Sequence, residues 1–453
     1  MMPTSIEIIK KLQKAGFEAY WAGGCVRDIL LGIKPKDYDI VTSAKPEEIE
    51  DILEHTIPVG KQFGVILAVS NGHNFEIATF RSDSGYSDGR RPDAVTFTSA
   101  REDAFRRDFT INGMFYDPLK DKVIDYVGGQ QDLEARLIRF IGDPHQRILE
   151  DHLRVLRAIR FKNEFNFMYE PKTYEALAKH AKLVIDKVAY ERIGTELGKM
   201  LMSTNSPAPL ESAVRALEDM EDTGVLKVIL PELVKMKGIA QPHVFHKEGD
   251  VWTHTMMALK SLSVSSSLAV RWAVLLHDVG KPETFMLKER IRFDRHVESS
   301  KKIAVKILER LKYPRKFIEE VAWLVEHHMM VDPLLTMPTG RKIKWFLHPW
   351  FLKLMEVFKA DVQGTIPSDL SAYDKIFTLY RESLKRITKE PEPFLKGEDV
   401  IEILKLKPGK LVGEILNLLR EKQLAGEIKN KVQARSWVAK LDSPKKKKRI
   451  TKK

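Results

Sequence analysis

Asp37 and Asp39 stand one residue apart in the segment Trp21–Thr42, WAGGCVRDILLGIKPKDYDIVT, behind a glycine pair, Gly23 and Gly24, and an arginine, Arg27. On a strand, period-two alternation aims both carboxylates at one volume, where they repel unless divalent cations lie between them, and turns Tyr38 into the core. Glycines let a backbone approach a triphosphate with no side chain between them, and an arginine offers phosphate a bidentate fork. The chemistry these residues predict is the binding of a nucleoside triphosphate with two Mg²⁺ ions. Glu76, a charged residue inside the apolar run FEIATF, is the candidate third carboxylate. The plain alternative for it is an outward-facing strand position.

Two further stretches carry side chains suited to a nucleotide. REDAFRRDFTINGMFYD, Arg101 to Asp117, opens charged and closes apolar, which predicts a helix whose basic turn borders the triphosphate. On it Arg107 and Asp108 are neighbours, and Asn112 returns near Asp108 one turn later. EDHLRVLRAIRF, Glu150 to Phe161, predicts one helix with Asp151 and Arg154 on a shared face and Arg157 and Arg160 beyond. An aspartate accepts from an exocyclic amine and an arginine donates to a ring nitrogen or carbonyl, so this pair can read the amino-bearing edge of C or A without a template. An i,i+3 salt bridge is the alternative. Arg81 to Asp93, rich in glycine, serine and alternating charge, suits a loop able to close over the site, with Tyr86, Arg90 and Arg91 available to substrate; a plain solvated loop is the alternative.

The elements that must position these residues change character along the chain. Up to about residue 142 strands and helices mix, and after Gly142-Asp143-Pro144 apolar residues recur at helical spacing, with no further sheet expected. The fold class expected is α+β. The divisions read are an α/β head at 1–142, a helical neck and body at 143–232, a histidine-bearing helical domain at 233–370, a helical tail module at 371–440 and a basic tail at 441–453.

A chain of 453 residues is too long for one core. A single cysteine, Cys25, excludes an internal disulfide, and no apolar run is long enough to span a bilayer. The opening MMPTSIEIIKKLQKAG interleaves charge with apolar residues and reads as an amphipathic helix rather than a signal peptide, which makes the cytoplasm the default location. The net charge of +12 lies partly in the terminal KKKKRITKK and partly in the arginines between Arg101 and Arg160, and favours a polyanionic partner. The sequence assigns no oligomeric state.

Taken in order, GGCVRD, DYDI, RRDFTIN, EDHLRVLRAIRF and ERIGTELGKML (Glu191 to Leu201) resemble the bacterial class II CCA-adding enzymes, tRNA nucleotidyltransferases of the polymerase β superfamily, over roughly residues 15 to 240. The resemblance implies a polymerase β-like head and assigns the catalytic metals to Asp37 and Asp39. It sets Arg107 and Asp108 by the nucleotide, gives selection of CTP and ATP to Asp151 and Arg154, and makes Glu191 and Arg192 supports of the site. tRNA is the partner it implies. Bacterial poly(A) polymerases share much of this pattern but carry a G-R-R-F-type stretch where this chain has PVGKQFGVI, Pro58 to Ile66. An enzyme adding only the terminal A is the other alternative.

A second constellation occupies the helical half: His254, His277-Asp278, His296, His327-His328 and Asp361. Its order resembles the HD phosphohydrolases, which implies a first metal set of His254, His277, Asp278 and Asp361, with Lys281 in the same motif. His296 and His327 are candidates for a second metal, with either His327 or His328 facing inward. Imidazole and carboxylate ligands suit Ni²⁺, Mn²⁺, Co²⁺ or Fe. In relatives with this arrangement the domain acts on phosphate at RNA ends, and a nucleotide-signalling hydrolase is the alternative for it.

Overall fold

The computed structural model describes residues 2–84, 94–242, 246–385 and 391–442. Tyr86, Arg90 and Arg91, most of the expected closing loop, and the terminal lysine run lie outside them. The chain forms two compact units, one of Met1–Lys235 with Lys306–Pro314 and the other of Met236–Val305 with Arg315–Lys453.

The first unit opens on a mixed sheet. Its strands are β1 (Ala19–Ala22), β2 (Ile40–Thr42), β3 (Thr56–Gly60), β4 (Val65–Ser70) and β5 (His73–Thr79); a separate ribbon pairs β6 (Arg81–Ser84) with β7 (Ala94–Phe97); β8 (Phe115–Asp117) and β9 (Lys122–Ile124) complete the sheet. The order is β3-β4-β5-β2-β1-β8-β9, with β2 and β5 parallel and the other neighbours antiparallel. The register sets Ile40 opposite Ile77, so Asp39 and Glu76 are the residues just before that pair. Trp21 anchors this region: its indole N–H donates to Ser5 Oγ at 3.1 Å, and its ring lies 4.9 Å from Tyr38 and 5.6 Å from Tyr116. Tyr38 is therefore buried while Asp37 and Asp39 are exposed, as alternation requires.

The local starts and stops follow from particular residues. Gly23, at φ +70°, turns the chain out of β1 into the helix Gly24–Leu30, a backbone angle that side chains rarely adopt. Asp143 caps the helix Pro144–Glu150 by accepting from Gln146 N–H at 2.9 Å, with Pro144 opening it, and helices dominate from there on. Three expectations need correction. Asp37 and Asp39 precede β2 in an extended segment rather than lying within it. The helix predicted from Arg101 spans only Ala100–Arg106, and Thr110–Asn112 is a separate 3₁₀ turn. The helix predicted from Glu150 to Phe161 is broken, because Asp151 is extended (φ −145°) and its Oδ1 accepts from Leu153 N–H at 3.1 Å, so the next helix begins at Arg154.

The expectation of no further sheet also fails in two short places. Met168–Tyr169 pairs in parallel with Leu137–Ile138, and in the second unit Phe285–Leu287 and Ile291–Phe293 form a hairpin. Otherwise the described part of the second unit is helical. One of its cores lies around Phe351, Met355 and Phe358, and another, around Val400, Ile415 and Val438, holds the tail helices together.

Candidate functional site

A cleft of about 670 Å³ in the first unit is lined by Gly23, Gly24, Arg27, Asp37, Asp39, Arg107, Asp108, Asn112, Asp151, Arg154, Arg157 and Arg160. All twelve were singled out by type and spacing, yet Gly23 and Arg160 are far apart in the chain. Arg81, Arg106, Phe161 and Lys199 also line it. Glu76 does not, although its charge bears on Asp39.

The carboxylates are crowded. Asp39 keeps an exposed edge, yet its pKa is pushed from 3.8 up to about 6, first by burial of the carboxyl, then by the charges of Glu76 and Asp37, with Arg107 opposing. Three carboxylates whose charges bear on one another are a donor set that fits hard divalent cations. Cys25, buried beside them with Sγ 3.2 Å from Ala22 O, has its thiol pushed up to about 12 by burial and by Asp39, so it remains protonated.

Each arginine on the cleft has a distinct tether. Arg107 donates from Nε and Nη2 to Asp103 Oδ2 at 3.1 and 3.0 Å, and its Nη1 faces Gly23, where a Cβ would stand only 3.1 Å away. Arg157 forks onto Asp108 Oδ2 at 2.8 and 2.5 Å while Asn112 Nδ2 donates to Asp108 Oδ1 at 3.1 Å. Burial alone would raise Asp108, but Arg157 outweighs it and brings the carboxyl down to about 2. The expected Asp108–Asn112 proximity is thus present, reached through a 3₁₀ turn. Arg27 differs from expectation. Its Nε and Nη2 are held by Asp28 Oδ1 at 2.9 and 2.6 Å, Nη1 donates to Asn112 Oδ1 at 2.7 Å, and its guanidinium lies over the Phe161 and Phe165 rings at 5.1 and 4.4 Å. Three of its five N–H donors are thus engaged within the protein, so this buried arginine braces the cleft wall that it lines.

Asp151 and Arg154 do not form the i,i+3 salt bridge. Arg154 Nη1 donates to Glu150 Oε2 at 2.6 Å and to Arg147 O at 2.7 Å. Asp151 is gripped from another helix, Tyr190–Met202, by Arg192, with Nη1–Oδ1 at 3.2 Å and Nη2–Oδ2 at 2.8 Å. Glu196, one turn on, accepts from Arg160 Nε at 2.7 Å, and Lys199 reaches the cleft, its Nζ 3.0 Å from Glu196 Oε1. Glu196, Lys199 and Phe161 were missed as site residues, although the spacing of 192, 196 and 199 on one helix face was a readable signal. Glu191 is exposed in the first turn of that helix.

The second unit gathers the histidines. His254 Nε2 lies 2.9 Å from Asp361 Oδ1, His277 Nε2 lies 3.1 Å from Asp278 Oδ2 and 3.5 Å from Asp361 Oδ1, and His296 Nε2 lies 3.6 Å from Asp278 Oδ1. His277, His296 and His328 each turn Nδ1 onto a backbone carbonyl, Val274 O at 2.7 Å, Phe293 O at 2.9 Å and Val325 O at 2.7 Å. That arrangement presents Nε2 for ligation. Ligand atoms of His254, His277 and Asp278, and of Asp278, His296 and His328, lie within 4.8 Å of one another. His277 Nε2 and Asp278 Oδ1 are buried without a hydrogen bond, an arrangement costly unless a cation binds there, so these residues fit a metal. Burial works against protonation of His277, but Asp278 and Asp361 hold its pKa up at about 10, whereas burial and the His277 charge push His328 down to about 4. His328 rather than His327 is the inward residue: His327 packs its ring 4.7 Å from Trp323 and 5.1 Å from Trp345. Lys281 Nζ pairs with Asp278 Oδ2 at 2.6 Å.

Residues 19–139 match the Poly A polymerase head domain, residues 166–236 the probable RNA and SrmB-binding site of polymerase A, and residues 251–339 the HD domain. The CCA-adding enzyme of Ligilactobacillus salivarius is 32% identical over 435 residues, 94% of this chain and 93% of that one. That of Bacillus velezensis is 30% identical over 451 residues, 97% and 98% of the two chains. The crystal structure of the Bacillus stearothermophilus CCA-adding enzyme in complex with CTP superimposes with a TM-score of 0.72 at 26% identity, covering 98% of each chain. With relatives at 30–32% identity that align along more than nine-tenths of both chains, this chain belongs to the CCA-adding enzymes, the tRNA nucleotidyltransferases that its motifs resemble.

Proposed function

We propose that the chain adds or repairs the 3′-terminal CCA of tRNA from CTP and ATP, without a nucleic-acid template, releasing pyrophosphate. The observation that carries this reading is a single cleft in which a carboxylate cluster meets an aspartate and an arginine fit to read a base. Asp151 accepts from the amine that C and A share on their pairing edge, while Arg154 donates to a ring nitrogen or carbonyl. Uracil presents a carbonyl where the amine would be, and a carboxylate repels it. Arg192 holds Asp151 in place, and Arg107 meets the triphosphate over the bare backbone of Gly23 and Gly24. Asp37, Asp39 and Glu76 would hold Mg²⁺, which supplies a lowered pKa for the tRNA 3′-hydroxyl and charge neutralisation for the leaving pyrophosphate. Arg157 and Asn112 fix Asp108, and Arg27 keeps the wall rigid, so the pocket is organised before nucleotide arrives. The net charge of +12 suits the tRNA backbone.

Among the described residues no helix is long and apolar enough to cross a membrane, and the reading places the enzyme in the cytoplasm with its substrate. In the HD domain, His254, His277, Asp278 and Asp361 would hold a transition metal, Ni²⁺, Mn²⁺, Co²⁺ or Fe, and His296 and His328 a second, to hydrolyse phosphate esters at RNA ends. The two buried atoms without a hydrogen bond, His277 Nε2 and Asp278 Oδ1, favour that second activity. Replacing His277 and Asp278 together by alanine should remove phosphodiesterase turnover and spare CCA addition; an unchanged phosphodiesterase rate would overturn the assignment. Poly(A) polymerase activity would appear as long A tails on arbitrary RNA.

A further inference from the structure

Glu248 stands behind the histidine cluster, with its side chain fully excluded from water. Its Oε1 lies 2.6 Å from His246 Nδ1 and 3.2 Å from His254 Nδ1, and its Oε2 accepts from Ile366 N–H at 2.8 Å. Gly364 O is a further acceptor for His254 Nδ1, at 3.1 Å. Lys247 N–H in turn donates to Ile366 O at 3.0 Å. The strand of chain at 246–248 is thereby fastened both to the ring of His254, on the helix Val251–Ser261, and to the turn that follows Asp361, on the helix Phe351–Gln363.

We propose that Glu248 is a positioning residue for the metal held by His254: its charge, shared with the Gly364 carbonyl, holds the proton on Nδ1 and so fixes the ring with Nε2 toward Asp361 and His277. The proposal rests on the reading of this cluster as a metal centre. An imidazole ligates through one nitrogen only when the other is satisfied, and a carboxylate behind the ring both selects that tautomer and makes the ligating nitrogen more basic. His277, His296 and His328 have neutral carbonyls behind them, whereas His254 Nδ1 faces a carboxylate, Glu248 at 3.2 Å, as well as the Gly364 carbonyl at 3.1 Å. Because Oε1 serves two imidazoles while Oε2 holds the Ile366 amide, Glu248 also couples the placement of His254 to that of the chain leaving Asp361. His246, Glu248 and His254 Nδ1 lie close enough to be a ligand set themselves. The hydrogen-bond distances and the capped second oxygen favour the positioning role.

The test is a Co²⁺ titration of the full-length protein stripped with chelator, read by visible absorption of nitrogen-ligated Co²⁺. Signal lost in the variant carrying His277→Ala and Asp278→Ala belongs to the cluster. If no signal depends on those residues, the metal reading fails and this proposal fails with it. Given that signal, Glu248→Gln should weaken Co²⁺ by roughly 10–100-fold at unchanged stoichiometry. Asp250→Ala serves as the structural control: Asp250 caps the same helix, accepting from Thr253 N–H at 2.8 Å and from Gly238 N–H at 2.6 Å. It should lower Tm and leave affinity within about twofold, since a lost cap frays a helix end and not a ring orientation. Wild-type affinity in Glu248→Gln would overturn the positioning role, and so would the loss of a whole equivalent of Co²⁺, which would make Glu248 a ligand.

Discussion

Asp39→Asn should stabilise the protein at neutral pH while abolishing nucleotidyl transfer. The carboxyl's pKa is raised from 3.8 to about 6 in the folded chain, so folding binds a proton at acid pH and pays for an ionised Asp39 at neutral pH. The penalty is absent below the unfolded pKa, grows between the two values and is complete above about pH 6. A shift of this size corresponds to about 3 kcal/mol at 1.36 kcal/mol per unit. Water at the exposed edge of Asp39 screens part of it, leaving about 1–2 kcal/mol. In chelator at pH 8 the variant should therefore melt a few degrees above wild type, and at pH 5 the difference should shrink to about half. Mg²⁺ should raise wild type toward the variant and leave the variant unmoved. A variant less stable than wild type at pH 8, or a difference that grows on acidification, would refute the argument that burial and the charges of Glu76 and Asp37 disfavour an ionised Asp39.

Arg192→Met removes both bonds to Asp151 and touches neither metal carboxylate. With charge-assisted bonds contributing about 1.5–3 kcal/mol, kcat/KM for CTP and ATP should fall roughly 10–100-fold in steady-state assays, and UTP misincorporation should rise. Gly23→Ala forces a side chain at φ +70° and 3.1 Å from Arg107 Nη1, so nucleotide affinity should drop in equilibrium binding while the helical parts keep their melting behaviour. His328→Ala should abolish cluster-dependent metal binding in the Co²⁺ titration, whereas His327→Ala should spare it; the reverse order would restore His327 as the inward residue.

Much of the site was legible because its chemistry is written in local spacing. Alternation around Tyr38 separates buried from exposed side chains whether the segment is formally a strand or an extended approach to one. The break at Asp151 was not legible, since EDHLRV contains neither proline nor glycine; an aspartate that bonds its own backbone two residues on interrupts the helix by a mechanism composition does not show. The partner of Asp151 could not be read locally either, because Arg192 comes from another helix forty-one residues later. Arg27 shows a different limit: its type suits phosphate, and only the folded chain reveals that Asp28 and Asn112 engage three of its donors while Phe161 and Phe165 pack against its face. For His327 and His328, adjacent on a helix end, periodicity leaves the inward member open, and the tryptophans around His327 decide it.

The most direct test incubates the purified protein with Mg²⁺ and tRNA transcripts ending before CCA, after C and after CC, supplying CTP, ATP or both, with products resolved at single-nucleotide length. The account predicts completion of CCA on all three transcripts and then arrest, with Asp37→Ala and Asp39→Ala inactive. A long A tail, A addition confined to the CC-ending transcript, or turnover by Asp39→Ala would contradict it.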